Sequence, residues 1–474
     1  MRLAMTANSY RPDSAILELG DAFYDPVRPA DFPQAILRFR NDRQAAEVGL
    51  GHLSDADWVR HFARFEPLPD NLPEPLALRY HGHQFRVYNP DIGDGRGFLF
   101  AQLRDGPRED PGSRLLDLGT KGSGQTPYSR FGDGRLTLKG GVRELLATEM
   151  LEALGAETSK TFSLVETGEA LERSDEPSPT RAAVLVRLQH SHIRIGTFQR
   201  LATLDQGDNI RALTAYCLRH YYADDSGDPA RLLDHVAIQA ARLAASYIAA
   251  GFVHGVLNSD NIAITAQSFD YGPWRWTPFW DGNFTAAYFD QQGLYSFGRQ
   301  PEAIHWDLVQ LAISLRRIAD AAPLTAVMET FPDRFRGALR DAIFARLGIL
   351  AGEIEEDMAL VAALEDALAT RTVTIDRFYF DWRGGGLRGN QGTDPDTFPY
   401  KGNAFEPLLP LLAARSAAPG ARDHPYWSDD EPCTLHIDEV EAIWAAIDTA
   451  DDWEPLYAKL AAIRRMGEAH RARA

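Results

Sequence analysis

Near residue 205 the chain changes character, and that change restricts the folds open to it. Before it, "GFLFAQL" (97–103) and "RLLDLGTK" (114–121) read as strands separated by the polar loop "RDGPREDPGS". "KTFSLVET" and "RAAVLVRLQ" flank the turn-rich "RSDEPSPT" and predict a hairpin. Between these pairs, Val142, Leu145, Leu146, Met150, Leu151 and Leu154 recur at helical spacing and predict a helix ending near Gly155. After the change, helices dominate. "DPARLLDHVAIQAARLAASYIAAG" has Asp228 as its N-cap, Pro229 in the first turn and Gly251 just past the end. "NIAIT" and "SFDY" read as two short strands of a small hairpin, joined by Ala-Gln, and residues 274–297 read as an aromatic loop. "PEAIHWDLVQLAISLRRIA" returns to helix, and the remainder is largely helical around the glycine-rich "RGGGLRGNQGTDPDTFPYKGN". Residues 1–90, rich in Pro, Arg and aromatics, carry one helical stretch near "DFPQAILRFRNDRQAAEVG". A β-rich half preceding a helical half predicts a two-lobed α+β arrangement with a cleft between the lobes.

The 474 residues exceed one ordinary domain and contain no internal repeat. Lys and Arg total 49 against 67 Asp and Glu, a net charge of −18, which disfavours a nucleic-acid or anionic-membrane partner. Two cysteines, Cys217 and Cys433, cannot build a disulfide framework, and no Cys/His cluster has zinc spacing. No signal-peptide pattern opens the chain and no window is apolar enough to span a membrane. The expectation is a cytoplasmic protein.

Phosphoryl and nucleotidyl transfer need a cation on the phosphates, a divalent metal bridging them and a carboxylate for the attacking group. The chain offers these in order. Lys121 ends a strand, and the following helix carries two candidate partners for it, Glu144 and Glu149, of which Glu149 lies nearer the middle of the apolar arc. Asp260 and Asn261 follow the long helix, and Asp270 closes the short hairpin. Asn and Asp oxygens are ligands that Mg²⁺ favours. Only five of the 49 basic residues are Lys, and one of them is the compact ammonium at 121. "DIGDGR" and "TKGSGQTP" are not Walker A loops, yet their glycines let backbone N–H groups approach phosphates, with Arg96 adding charge. Arg187 and Arg194 in "VRLQHSHIRIGTF" are further cations near the expected junction, where salt bridging is the competing reading. Lys at a strand end, "DN" and "DYG" in turns, "GDGR" in a hairpin and His254 tying loop backbone together are the ordinary alternatives.

"GDGR" (93–96), "KGSGQTPYSRFGDGR", "VRELLATEML", "SHIRIGTF" and "HGVLNSDNIAITAQSFDYGP" closely resemble the signature blocks of the selenoprotein O family, over residues 17 to about 310. The resemblance implies a protein-kinase-like fold, with a β-rich N-lobe (91–205), a helical C-lobe (206–474) and an N-terminal extension (1–90). It implies ATP bound in a flipped orientation and transfer of AMP to Ser, Thr or Tyr hydroxyls of proteins; UMP transfer has been attributed to a bacterial member. On this resemblance Lys121 contacts phosphates and pairs with Glu144. Gly93, Gly95, Arg96, Asp133 and Gly134 line the nucleotide, and Arg187 and Arg194 grip its phosphates. Asp260 accepts the proton, and Asn261 with Asp270 holds Mg²⁺ or Mn²⁺. Asp260 stands directly before Asn261, unlike the spacing of ordinary kinases, and a kinase reaction or a non-catalytic ATP-binding scaffold are the alternatives for the same site. The chain departs from the family where "TAAYFD" lacks a cysteine and where "GGGLRGN" (384–390) is at best a remnant of the C-terminal block, so cysteine-based redox control does not carry over.

Overall fold

Strands form where apolar residues alternate, and nearly all of them lie in the first 190 residues. The computed structural model describes residues 9–110, 112–174, 176–388, 399–400 and 402–471, so part of the glycine-rich stretch at 383–403 lies outside it. In chain order, β1 (Pro12–Asp13), β2 (Tyr24–Pro26), β3 (Ile36–Arg40) and β4 (Leu76–Leu78) precede a separate hairpin of β5 (Gly82–Gln84) and β6 (Val87–Asn89). Then follow β7 (Leu99–Arg104), β8 (Leu115–Lys121), β9 (Leu136–Thr137), β10 (Lys160–Leu171) and β11 (Thr180–Gln189). The main sheet is antiparallel and curled, ordered β2-β4-β7-β8-β11-β10-β3, with β1 beside β7 and β9 beside β11.

Both faces of this sheet are covered, which is why β7 and β8 are buried at every residue. One face packs Phe98, Phe100, Leu116, Leu118, Phe162, Val184 and Val186 against Trp58, Phe62 and Phe65. On the other face, Leu99, Leu115, Leu164 and Leu185 meet Val142, Leu145 and Leu146.

The segment at 31–49 departs from the predicted single helix. Its first part is strand β3, paired through Phe39 and Leu37 with β10. Asn41 then caps the short helix α1 (Asp42–Glu47) by accepting from the Gln44 amide, and α2 (Asp55–Phe62) follows. The strand exists because β10, whose paired residues lie 123 to 130 positions further along the chain, supplies its ladder, which local periodicity does not register.

The predicted helix after β9 is α3 (Leu138–Ala153), capped by Thr137, whose hydroxyl accepts from the Gly140 amide at 3.1 Å. Helices α4 (Ile195–Thr203) and α5 (Gly207–Tyr222) lead to α6 (Pro229–Ala250). Asp228 caps α6 by accepting from the Ala230 amide, and Gly251 ends it at φ 69°. Two short strands, β12 (Phe252–Val253) and β13 (Arg275–Trp276), pair next. Helices α7 (Gln300–Leu315), α8 (Ala321–Glu329), α9 (Phe331–Leu347), α10 (Ile354–Ala369), α11 (Ile375–Asp381), α12 (Leu408–Ala413), α13 (Ile437–Ala450) and α14 (Glu454–Arg471) complete the chain. The mostly apolar α6 is the hub, packed by α5, α7, α8 and α9.

The hairpin expected at 261–271 does not form. Ala263 bridges Arg194 and Ser268 bridges Thr158, so "NIAIT" and "SFDY" each pair with a different part of the chain and not with each other. A turn closed by the Ala266 amide on the Ala263 carbonyl joins them, with Ala266 at φ 52°. No helix among the described residues is long and apolar enough to cross a membrane.

Candidate active site

A cavity of about 640 Å³ opens where the sheet meets the segment after α6. Its walls include Gly93, Gly95, Arg96, Lys121, Asp133, Gly134, Arg187, Arg194, Asp260 and Asp270. Ten sequence-predicted residues thus share one surface. The other two do not line it: Glu144 lies behind Lys121, and Asn261 sits beside Asp260.

The cluster at its base follows from local structure. Lys121 is the last residue of β8, opposite Leu185 of β11, and Arg187 lies two residues further along β11. Two steps along a strand return to the same face, so both cations point the same way. On α3, Glu144 is fully buried and receives the Lys121 ammonium at 2.6 Å. Lys121 also meets Asp270 Oδ1 at 2.8 Å, while Arg187 Nη1 lies 3.4 Å from Glu144 Oε1 and 3.7 Å from Asp270 Oδ1. Two cations and two carboxylates therefore alternate around a single point. Burial opposes the charge on Asp270, and Lys121, Arg187, Arg194 and Arg96 outweigh it, holding its carboxyl well below the usual carboxylate range. The backbone of Asp270 is left-handed at φ 61°, a conformation that costs free energy in a non-glycine residue. Glu149, the competing partner for Lys121, turns away and takes Arg464 in two hydrogen bonds of 2.8 Å.

Arg194 organises the opposite wall. It donates to the Asp260 carbonyl at 2.9 Å and to Asp94 Oδ1 at 3.1 Å, and it stacks over Tyr80 and Phe269. Asp94, the acid inside the first "GDGR", also accepts from the Leu78 amide, so this carboxylate fixes the arginine and the loop together. Asp260 is 7% exposed, and its Oδ1 has no hydrogen-bond partner among the described residues. Burial raises its pKa, Arg194 counters, and the charge on Asp270 adds to the rise, so that the carboxyl is pushed up to about 6. Gly82 is packed against it: a β-carbon there would sit 2.8 Å from Asp260 Oδ1.

The glycines of both "GDGR" loops are needed for packing between loops. A β-carbon on Gly93 would strike the Tyr128 ring at 2.4 Å, and one on Gly134, at φ 69°, would strike Gly124 backbone at 2.2 Å. Asp133 accepts from the Arg135 amide and pairs with Arg173 at 2.9 and 3.1 Å. Burial disfavours its charge, but Arg173 and Arg135 prevail and lower its pKa. His254 is a backbone tie, with Nε2 at 3.0 Å from the Phe269 carbonyl.

Sequence reasoning missed Tyr80, Asp94, Tyr128, Arg130 and Arg173, which also line the cavity. Asp94 lay between two named glycines and was legible. Arg173 sits in a hairpin turn that the chain folds back over the cavity, and Tyr80 had no local signal.

Asn261 donates its side-chain amide to the Val256 carbonyl at 3.0 Å, which orients its oxygen as the ligand-capable atom. Among the described residues no group of three or more His, Cys, Asp or Glu could hold a metal ion. Asp270 lines the cavity, and its carboxylate and the Asn261 amide oxygen are hard donors of the kind that Mg²⁺ takes alongside phosphates and water.

A cavity lined by arginines and a buried ammonium, with an Asp260 oxygen that has no hydrogen-bond partner among the described residues on its wall, suits a polyanionic substrate, and the chain's relatives identify the chemistry as nucleotidyl transfer. Residues 5–386 match the family model described as protein adenylyltransferase SelO. A protein nucleotidyltransferase YdiU of Synechocystis sp. is 48% identical, covering 94% of this chain and 96% of the relative. One from Gloeobacter violaceus is 41% identical, covering 96% and 95%, and one from Vibrio cholerae is 35% identical, covering 76% and 72%. The chain belongs to the protein adenylyltransferase SelO family and is a nucleotidyltransferase.

Proposed function

We propose that the protein transfers AMP from ATP to Ser, Thr or Tyr hydroxyls of other proteins, in a two-lobed, protein-kinase-like fold. Residues 91–205 form the β-rich lobe and 206–474 the helical lobe, and 1–90 form an N-terminal extension that adds strands to the sheet. The observation that carries the reading is the alternating cluster of Lys121, Glu144, Arg187 and Asp270 beside an Asp260 whose Oδ1 has no hydrogen-bond partner among the described residues. Lys121, Arg187 and Arg194 bind the triphosphate and orient its α-phosphorus, and Gly93, Gly95, Arg96, Asp133 and Gly134 shape the loops around the rest of the nucleotide. Asp260 accepts the proton of the incoming hydroxyl as its oxygen bonds to the α-phosphorus. The bond between the α-phosphorus and the bridging oxygen breaks, and pyrophosphate leaves. Asn261 and Asp270 would hold Mg²⁺ or Mn²⁺, which neutralises phosphate charge when bound.

Two features support nucleotidyl over γ-phosphoryl transfer. The relatives are named nucleotidyltransferases. Arg187 and Arg194 add two cations to the cavity wall beyond Lys121, the provision that a nucleotide with its phosphate tail reversed would need. The test supplies ATP labelled at either the α- or the γ-phosphate, with Mg²⁺ or Mn²⁺, and follows label into protein. Label from the α-position alone is expected. Label from the γ-position would mean a kinase, and binding without transfer a scaffold.

A further inference from the structure

The family match ends at residue 386, yet the helix bearing Glu144 is held from behind by residues beyond it. Helix α14 lies along α3, with Ile463 and Met466 buried. The two helices approach closely enough that a β-carbon on Gly467 would sit 3.1 Å from Ala153. Beside this contact Arg464 grips Glu149 with two parallel hydrogen bonds of 2.8 Å. Glu149 is 4% exposed, so this pair is shielded on its acidic side and is stronger than a surface pair. Arg43 is the other cation near Glu149, at 3.9 Å, and its bidentate partner is Glu152.

At the other end of α3, Glu441 of α13 takes Lys139 at 2.7 Å and approaches Arg143 at 3.8 Å. Arg143 in turn donates to the Trp274 carbonyl at 3.2 Å and stacks over the Trp274 ring, four residues beyond Asp270. The two carboxylates on Lys121 are thus each backed by the same C-terminal helix pair: Glu144 through α3, and Asp270 through Arg143 and Trp274.

We infer that Arg464 is a positioning residue for the Lys121 ammonium. By fixing Glu149 it sets the rotation and depth of α3, and so where Glu144 holds Lys121. This rests on the proposed nucleotide site. Residues 144 and 149 are five apart, on opposed sides of the helix, so one helix carries an inward acid for the ammonium and an outward acid for its clamp. A local propensity role for α14 would not require a buried acid opposite its arginine.

The test is a double-mutant cycle on nucleotide affinity in the full chain. Wild type, Arg464→Met, Lys121→Met and the double variant are titrated calorimetrically with α,β-methylene-ATP and Mg²⁺, with thermal melts in parallel. Arg464→Met is expected to weaken binding about three- to tenfold in the wild-type background and to have no further effect once Lys121 is gone. A merely structural role gives the same loss in both backgrounds and would overturn the inference, as would an unchanged affinity for Arg464→Met. If Lys121→Met alone binds as tightly as wild type, the proposed nucleotide site itself falls, and the clamp with it. Should Arg464→Met fail to fold, the swapped pair Glu149→Arg with Arg464→Glu is expected to restore folding, and affinity to within about threefold. Restored folding with affinity left lower would overturn the inference.

Discussion

In its proposed role as the base, Asp260 makes the sharpest demands of any single residue. A base works only when ionised, and burial with the neighbouring Asp270 raises this carboxyl to about 6 against the pull of Arg194. Above that pH the carboxylate is present and turnover is level. Below it, protonation removes the base and the rate falls about tenfold per pH unit. Asp260→Asn is expected to lower turnover by about 10²- to 10⁴-fold with ATP affinity retained, measured by α-label transfer across the pH range. A flat profile through pH 6, or a fully active Asn variant, would remove Asp260 from that role. The residue scale also explains what was legible in the sequence. Lys121, Asp260 and Asp270 sit in short polar motifs against apolar neighbours. Periodicity favoured Glu149 over Glu144 as the partner of Lys121, and the structure pairs Lys121 with Glu144, because α3 is covered on one side by the sheet and on the other by α14, so that both acids are buried. Tyr80 reaches the cavity only through tertiary packing against Arg194.

Helices were readable where their ends carry chemistry. Asp228, Pro229 and Gly251 marked α6 to within a residue, because capping is local. The stretch at 31–49 was misread because β3 draws its ladder from β10, and the 261–271 segment because its two halves bridge Arg194 and Thr158. Non-local pairing leaves no trace in a short window. At this scale the cap of α3 is testable. Thr137 satisfies the Gly140 amide just ahead of Glu144, and Thr137→Ala is expected to cost about 1 kcal/mol in urea denaturation. A loss under about 0.3 kcal/mol would show that packing alone fixes that end of the helix.

Across the whole molecule, a polyanion is recruited by a protein of net charge −18. The cavity reconciles the two by gathering Arg96, Lys121, Arg130, Arg135, Arg173, Arg187 and Arg194 on its walls, so a local field of opposite sign opens in an acidic surface. That field is balanced from within by Asp270, which Lys121 and Arg187 share. In the proposed reaction this carboxylate passes from the ion pairs with Lys121 and Arg187 to service of a metal-bound triphosphate. The direct measurement is calorimetric ATP binding with and without Mg²⁺, for wild type and Asp270→Asn. Wild type is expected to bind ATP about tenfold or more tightly when Mg²⁺ is present, and the Asn variant to lose that metal dependence. An Asp270→Asn protein whose ATP affinity responded to Mg²⁺ as the wild type does would contradict it.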